Sequence, residues 1–179
     1  DSSEVFVAEG TPFEKVCMKR IKTMPKMLCN DIDTEHRYQI DARKAGVRTP
    51  LPLISMETEA GEKYLLMERI YGHSIGEIIA DPTLLPDSFD YTTFMATLRE
   101  NVQKLHKADI HHRSLHMQNV MIEDATGLPV ILDFGTATLG SGSDFTYEES
   151  VLVLNPSTGR YDQKSGQFED DNKMIENLG

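Results

Sequence analysis

The sequence has few cysteines and no long apolar run, and both absences limit what the protein is. Among 179 residues only Cys17 and Cys29 are cysteines, which is too few for a disulfide framework. A reducing cytoplasm is therefore the expected compartment, with a single Cys17–Cys29 bridge as the alternative. No apolar stretch approaches the roughly 20 residues of a membrane span, and no charged-then-apolar leader opens the chain. We therefore expect neither a membrane span nor a secretory signal.

Basic residues are scarce in the last third of the chain. Residues 123–179 hold 11 acids and 3 bases, which is −8 of the total net charge of −11. Such a surface repels phosphate backbones, so general nucleic-acid binding is not expected. The acidic surface would suit a basic peptide partner, or it would simply keep the protein soluble.

The front of the chain has the pattern of two hairpins and one helix. Residues 4–9 and 14–21 are valine-rich strands joined by a Gly-Thr-Pro turn, and residues 50–70 contain a second hairpin that turns at 59–62. Between the hairpins the sequence predicts a helix that ends at Gly46. Asp33 or Thr34 would cap its start. Its buried face would consist of Tyr38, Ala42 and Ala45.

The rear of the chain begins, after a break at Gly72, with an amphipathic helix over roughly 91–108. Its apolar face repeats at helical spacing through Met95, Leu98, Val102 and Leu105. Further along we expect strands at 119–123 and 129–134 around a turn, a flexible loop at 138–148, an apolar docking segment at 150–155 and the start of a helix near the end.

These elements predict an α+β protein of two lobes in one domain. The β-rich front lobe, with one helix, and its hinge would span residues 1–72, and a short, mainly helical rear lobe would span 73–179. A cleft between two such lobes is a usual place for a ligand.

Four side chains supply the groups that phosphoryl transfer from ATP requires. A cation must hold the α- and β-phosphates, a carboxylate must orient it, and carboxylate and amide oxygens must bind Mg²⁺. Lys19 lies on a predicted strand, and Glu35 lies in the first turn of the next helix. Asn119 and Asp133 bracket the rear hairpin, so they would meet at one end of it.

In this order the motifs resemble those of the protein-kinase-like superfamily. VCMK (16–19) resembles its V-A-I-K strand, LLMERIYG (65–72) its hinge and HRSLHMQN (112–119) its H-R-D-L-x-x-x-N catalytic loop, and DFG (133–135) is identical. The compact build resembles small atypical kinases of the RIO and KEOPS-kinase type. The Leu-His pair at 115–116 is also similar to aminoglycoside and choline kinases, so the substrate class stays open.

The resemblance implies a role for each matching position. Lys19 would hold the α/β-phosphates and pair with Glu35, while Asn119 and Asp133 would bind Mg²⁺. Asp31 and Asp33 lie near the same helix start, where the dipole favours acids anyway, and Glu35 is preferred for its distance from Gly46. The nucleotide would contact Val5, the gatekeeper Met67, backbone groups of Glu68 and Ile70, and Met121. His112 and Phe134 would stack in an internal spine.

The sequence also departs from the family pattern, most sharply at Ser114. The family has a carboxylate there that takes the acceptor's proton, and serine is a poor base at pH 7. The glycines that cover the phosphates are matched only at the tail of their motif, and no A-P-E follows DFG. Either the protein is a pseudokinase that serves as a nucleotide-binding scaffold for a partner, or an active kinase has been changed at one position.

Two other groups of residues have alternative interpretations. His106, His111, His112 and His116 form a cluster that suggests zinc, but the stretch with His112 and His116 is predicted to be a loop, and no cysteine or further acid completes a tetrahedral ligand set. Thr146 and Tyr147 would be phosphorylation sites with Arg113 as partner, although a plain loop explains them equally.

Overall fold

The computed structural model describes residues 3–21, 30–139, 149–155 and 160–166, together with Asp171, Ile175 and Leu178. Its front part is a four-stranded antiparallel sheet in the order β1-β2-β4-β3. The strands are β1 (Ser3–Val7), β2 (Val16–Ile21), β3 (Pro52–Glu57) and β4 (Lys63–Glu68). Both front hairpins predicted from the sequence are therefore confirmed.

The helix α1 (Ile32–Lys44) packs against this sheet. It begins two or three residues earlier than predicted, because the side chain of Asp31, not Asp33 or Thr34, caps it by accepting a hydrogen bond from the Thr34 N–H at 2.8 Å. Tyr38 and Ala42 are buried as predicted, and Ala45 packs partly against the same core.

The rear part combines helices with short strands. A three-stranded sheet consists of β5 (Gly72–Ser74), β7 (Val120–Glu123) and β8 (Pro129–Ile131). Gly72, where the sequence predicts a break in the chain, begins β5 and is thus the first residue of the rear sheet. The Cβ of any larger residue at position 72 would lie 2.1 Å from the Ile122 carbonyl oxygen, so the pairing of β5 with β7 requires glycine. The strand predicted at 129–134 ends at Ile131, before the segment turns away toward Gly135.

Further elements surround that small sheet. The helix α2 (Ile75–Ala80), which sequence reasoning missed, follows β5 directly, and its capping box joins Ser74 and Glu77. The long helix is α3 (Tyr91–Lys107), and β6 (Ile110–His111) pairs with β9 (Thr138–Leu139). Lastly, β10 (Glu149–Asn155) and β11 (Arg160–Gly166) form a hairpin. The segment 140–148 of the predicted flexible loop lies outside the described residues.

The hydrophobic core lies mainly in the rear part. Met95, Leu98, Val102 and Leu105 of α3 are all buried, which confirms the predicted apolar face. A smaller buried cluster fills the space between the front sheet and α1 and consists of Cys17, Ile32, Leu65 and Met67. Cys17 is a free thiol, and Cys29 lies outside the described residues. Among the described helices, none combines the length and apolar character that crossing a bilayer demands.

The turn between β7 and β8 offers a test of this packing. Gly127 has φ +67°, and a Cβ there would lie 2.4 Å from the Ser88 carbonyl oxygen, whereas Gly10 has φ +68° with nothing within 4 Å. We expect Gly10→Ala to cost about 1–2 kcal/mol for its backbone conformation and Gly127→Ala about 1–3 kcal/mol more for the clash. Urea unfolding of both variants measures the difference, and equal costs would contradict the packing described.

Candidate functional site

The Lys19 side chain forms two ion pairs, and the one with Asp133 joins the front sheet to the rear part. Its Nζ donates to Glu35 Oε1 at 2.6 Å and to Asp133 Oδ1 at 2.7 Å. Lys19 is at the centre of β2, opposite Val5 of β1 and Leu65 of β4. Glu35 is in the first turn of α1 and is 2% exposed, so the ammonium is held in a nearly dry environment.

One cation and two carboxylates leave this cluster with an excess of negative charge. Burial alone would lower the pKa of Lys19, but the charges and hydrogen bonds of Glu35 and Asp133 outweigh it and hold that pKa above its usual value. Burial also favours neutral carboxyls, yet Lys19 and the Gly135 N–H hold the pKa of Asp133 below its usual range. Burial, with the Asp133 charge adding to it, raises the pKa of Glu35 despite Lys19. A further cation near Asp133 would relieve the excess.

The two ends of the β7–β8 hairpin bring Asn119 and Asp133 together. The Leu132 N–H donates to the Asn119 carbonyl oxygen at 2.8 Å, so the residue before Asp133 is fixed beside Asn119. The side-chain oxygens Asn119 Oδ1 and Asp133 Oδ2 accept no hydrogen bond from the described residues. A carboxylate and an amide oxygen are ligands that Mg²⁺ accepts, and the Asp133 side chain is 34% exposed. These two residues therefore fit a magnesium ion.

Two residues of the site, Arg113 in the stretch from His112 to Ser114 and Asp133, have backbone conformations that non-glycine residues rarely adopt. Arg113 has φ +68° and Asp133 has φ +60°, conformations that cost a non-glycine residue about 1–2 kcal/mol. Asp171 supports this backbone, because its Oδ1 accepts from the Arg113 N–H at 2.8 Å and its Oδ2 from the His112 N–H at 2.9 Å. Backbone strain of this kind concentrates at functional sites.

The hydroxyl of Ser114 lies inside this strained stretch. Its Oγ accepts from Asn119 Nδ2 at 3.2 Å, and the same amide group also donates to the Ser114 carbonyl oxygen at 2.9 Å. His116 Nε2 lies 3.2 Å from that nitrogen. Of the residues that the structure describes, none offers Ser114 or Asn119 a carboxylate within hydrogen-bonding distance.

His112 is fully buried, and its ring meets Phe134 edge-on at a centroid distance of 4.9 Å. This is an edge-to-face contact rather than the expected stack. The His112 Nε2 donates to the Leu132 carbonyl oxygen at 2.8 Å, while Nδ1 accepts from the Ser114 N–H at 3.3 Å. Both bonds together require the neutral ring. Burial lowers the pKa of His112 in agreement with this.

The residues expected around a nucleotide come from both parts of the structure, Val5, Met67, Glu68 and Ile70 from the front and Met121 from the rear. Met67 is buried at the end of β4, and Val5 is exposed on β1. The Glu68 N–H donates to the Leu51 carbonyl oxygen, and the Glu68 carbonyl oxygen accepts from the Cys17 thiol at 3.5 Å. Neither backbone group of Ile70 is hydrogen-bonded to the described residues. Met121 is half-buried on β7, opposite Val130 of β8.

Among the described residues, the histidine cluster brings only two imidazoles and one carboxylate close together. His106, His111 and Asp171 place their ligand atoms within 4.8 Å of one another. The two imidazoles are stacked at 4.5 Å with planes 21° apart, so their in-plane lone pairs run side by side instead of meeting at one ion. Thr146 and Tyr147 lie outside the described residues.

Two residues of the site escaped sequence reasoning. Asn30 precedes α1 and donates through Nδ2 to the carbonyl oxygens of Phe134 and Ala137, at 3.0 and 2.8 Å, so it fixes the segment after Asp133. Asp171 is 2% exposed and also accepts from His106 Nε2 at 3.0 Å. Burial alone would raise the pKa of Asp171, but the hydrogen bond from His106 and the nearby His112 and Arg113 hold it below its usual value. Asn30 is a polar residue before a helix and Asp171 lies in a run of acids, and neither pattern in the sequence indicates that these residues support the site.

The neutral state of His112 predicts how stability depends on pH. Because its pKa is lowered by folding, the stabilisation is fully present above the unfolded value of about 6.5 and is lost as the pH falls below it. We expect the free energy of unfolding to fall between pH 7 and pH 5, with His112 contributing up to about 1.4 kcal/mol per pH unit. Chemical unfolding of the protein and of His112→Gln measures the slopes. An equally steep decline in the variant would contradict this role.

Comparison with known proteins gives this arrangement a family context. The protein kinase domain profile matches residues 3–153. Serine/threonine-protein kinase D of a Synechocystis species is 30% identical over 92% of this chain and 34% of its own length. The EKC/KEOPS complex subunit BUD32 of Yarrowia lipolytica is 29% identical over 75% of this chain and 56% of its own. The chain thus spans about a third to just over half of these relatives.

A solved structure supports the same fold. A chain of the CAK complex from Chaetomium thermophilum bound to ATP-gamma-S superposes with a TM-score of 0.59, at 19% identity, over 79% of this chain and 45% of that one. At this identity the likeness concerns the fold alone, and it agrees with the α+β architecture predicted from the sequence. With the profile covering most of its length, the chain belongs to the protein kinase domain family.

Proposed function

We propose that this chain binds ATP with Mg²⁺ in the junction between a front lobe ending near Gly72 and the rear lobe, as a compact atypical serine/threonine protein kinase of the cytoplasm. The observation that carries the proposal is the Lys19 ammonium held between Glu35 and Asp133. This contact sets a phosphate-binding cation beside a metal-binding carboxylate, which is the arrangement that phosphoryl transfer requires.

Each of these residues has a distinct task in nucleotide binding. Glu35 fixes the Lys19 ammonium so that it faces the α- and β-phosphates, and Asp133 is available through Oδ2 for the metal. Asn119 supplies its amide oxygen from the other end of the hairpin. Bound Mg²⁺ would neutralise charge that develops between the β- and γ-phosphates. The backbone groups of Ile70, to which no described residue is hydrogen-bonded, would meet the edge of the adenine, with Met67, Val5 and Met121 as apolar neighbours.

Ser114 leaves the transfer step without its usual base. A carboxylate at this position would receive the proton of the attacking hydroxyl, and general-base catalysis contributes on the order of 10²–10⁴-fold. The Ser114 hydroxyl already accepts from Asn119 and is a poor base at neutral pH. Nucleotide binding does not depend on it, so the chain would bind ATP while transferring phosphate slowly.

Ser114 also favours a second function, in which the chain is a scaffold that binds nucleotide and does not transfer phosphate. Among the described residues no carboxylate lies within hydrogen-bonding distance of Ser114, so none of them takes the place of the missing base. The similarity to a subunit of the EKC/KEOPS complex supports a protein partner in either case. A small-molecule acceptor of the aminoglycoside or choline type is the remaining alternative, because the fold does not select the acceptor.

The role of Lys19 can be tested through the thermal stability of the protein with and without nucleotide. A ligand at a hundred times its Kd stabilises the folded state by about 2.7 kcal/mol. We expect Mg-ATP to raise the melting temperature of the unaltered chain and of Lys15→Met, which removes an exposed lysine, but not of Lys19→Met. Asp133→Asn provides the same readout if Lys19→Met does not fold. Equal stabilisation of all variants would rule out this site.

The role of position 114 can be tested by restoring the carboxylate. We expect Ser114→Asp to transfer the γ-phosphoryl group on the order of 10²–10⁴ times faster than the unaltered chain. Ser114→Asn, which has the same size but no charge, should not. Transfer from γ-labelled ATP to the chain itself, a hydroxyl-bearing protein, an aminoglycoside or choline identifies the acceptor class. If Ser114→Asp transfers phosphate no faster than Ser114→Asn while ATP still stabilises both variants, the scaffold function is supported instead.

A further inference from the structure

Arg48 connects the front sheet with the rear part at the side of the junction where the hinge lies. It is located in the segment between α1 and β3. Its guanidinium donates from Nη1 and Nη2 to the two carboxylate oxygens of Glu68, both at 2.9 Å, and from Nη2 to Glu123 Oε1 at 2.5 Å. Glu68 ends β4 and Glu123 ends β7, so one side chain holds two carboxylates from the two parts. We name Arg48, Glu68 and Glu123 the Arg48 cluster.

Main-chain hydrogen bonds hold the segment from Arg48 to Leu51 in the same place as the Arg48 cluster. The Ile131 N–H of β8 donates to the Arg48 carbonyl oxygen at 3.0 Å, and the Leu51 N–H donates to Glu68 Oε2 at 2.9 Å. The Glu68 N–H returns a bond to the Leu51 carbonyl oxygen. The segment from Arg48 to Leu51 is therefore fastened to the rear sheet on one side and to the hinge end of β4 on the other.

The side chains of the Arg48 cluster are only partly exposed, at 31%, 32% and 19% for Arg48, Glu68 and Glu123. Hydrogen bonds from Arg48, outweighing the effect of burial, hold the pKa of Glu68 below its usual value. A planar guanidinium bound to two oxygens of one carboxylate has a defined orientation that a flexible ammonium would not give.

We propose that Arg48 is a positioning residue for the nucleotide, because it fixes the hinge strand relative to the rear sheet and thereby keeps the two parts closed on ATP. The inference rests on the function proposed above. The Arg48 cluster is intact in the same arrangement in which Lys19 of the front sheet reaches Asp133 of the rear part at 2.7 Å. The closed geometry and the intact cluster therefore coexist, and loss of the Glu123 contact favours opening.

The experiment measures the dissociation rate of a fluorescent ATP analogue with Mg²⁺ from the full chain by stopped flow. Glu123→Ala should release it roughly twofold to fivefold faster, the effect expected of a partly exposed ion pair. Glu123→Gln, which keeps an oxygen but no charge, should be intermediate. Raising the salt concentration from about 50 to 500 mM should accelerate release from the unaltered chain more than from Glu123→Ala, because salt screens the pair.

Two control variants separate this role from a general loss of stability. Thr126→Ala removes the hydrogen bond from Thr126 Oγ1 to Glu123 Oε2 without removing a charge from the cluster. Lys63→Met removes one cation from an exposed ion pair on β4. Both should release the analogue at the rate of the unaltered chain. Equal rates in all variants, or equal salt dependence with and without Glu123, would overturn the proposal. A chain that binds no analogue at all would overturn the proposed function together with it.

Discussion

The buried ion pairs of Lys19 constrain the rest of the structure. The ammonium and the Asp133 carboxylate come from positions 114 residues apart in the chain, and Glu35 comes from a third element. Removing the Lys19 ammonium would leave two carboxylates, Glu35 among them almost fully buried, without their cation. Such an uncompensated buried charge typically costs about 3–5 kcal/mol. The strand β2, the helix α1 and the segment after β8 must therefore meet at one point. The nucleotide site that we propose is a consequence of that meeting.

The backbone of the loop before Ser114 is independent of the side chain at that position. Asp171 binds the main-chain N–H groups of His112 and Arg113, and the His112 ring binds the Leu132 carbonyl oxygen. The left-handed conformation of Arg113 is thus maintained by groups that take no part in proton transfer. These contacts require no carboxylate at position 114, so the shape of the loop does not show whether the domain transfers phosphate.

Much of the fold could be predicted from the sequence because the signals are local. The spacing of Met95, Leu98, Val102 and Leu105 predicted α3, and glycine-rich turns predicted the front hairpins. The motif residues Lys19, Glu35, Asn119 and Asp133 could be named because their order along the chain is itself a signal. Local rules also misplaced some boundaries. Asp33 is as good a helix cap as Asp31 by residue type, and the sequence does not show that Asp31 is the residue that caps α1.

The sequence alone determined the class of fold, the helical and strand faces and the set of residues that resemble a kinase site. The tertiary structure decided which distant polar groups meet. Asn30 bonds to carbonyl groups more than a hundred positions away, Asp171 supports His112 and Arg113, and Arg48 links Glu68 to Glu123. No spacing or periodicity encodes such pairs, because the physical requirement that a buried polar group be satisfied does not specify which part of the chain supplies the partner.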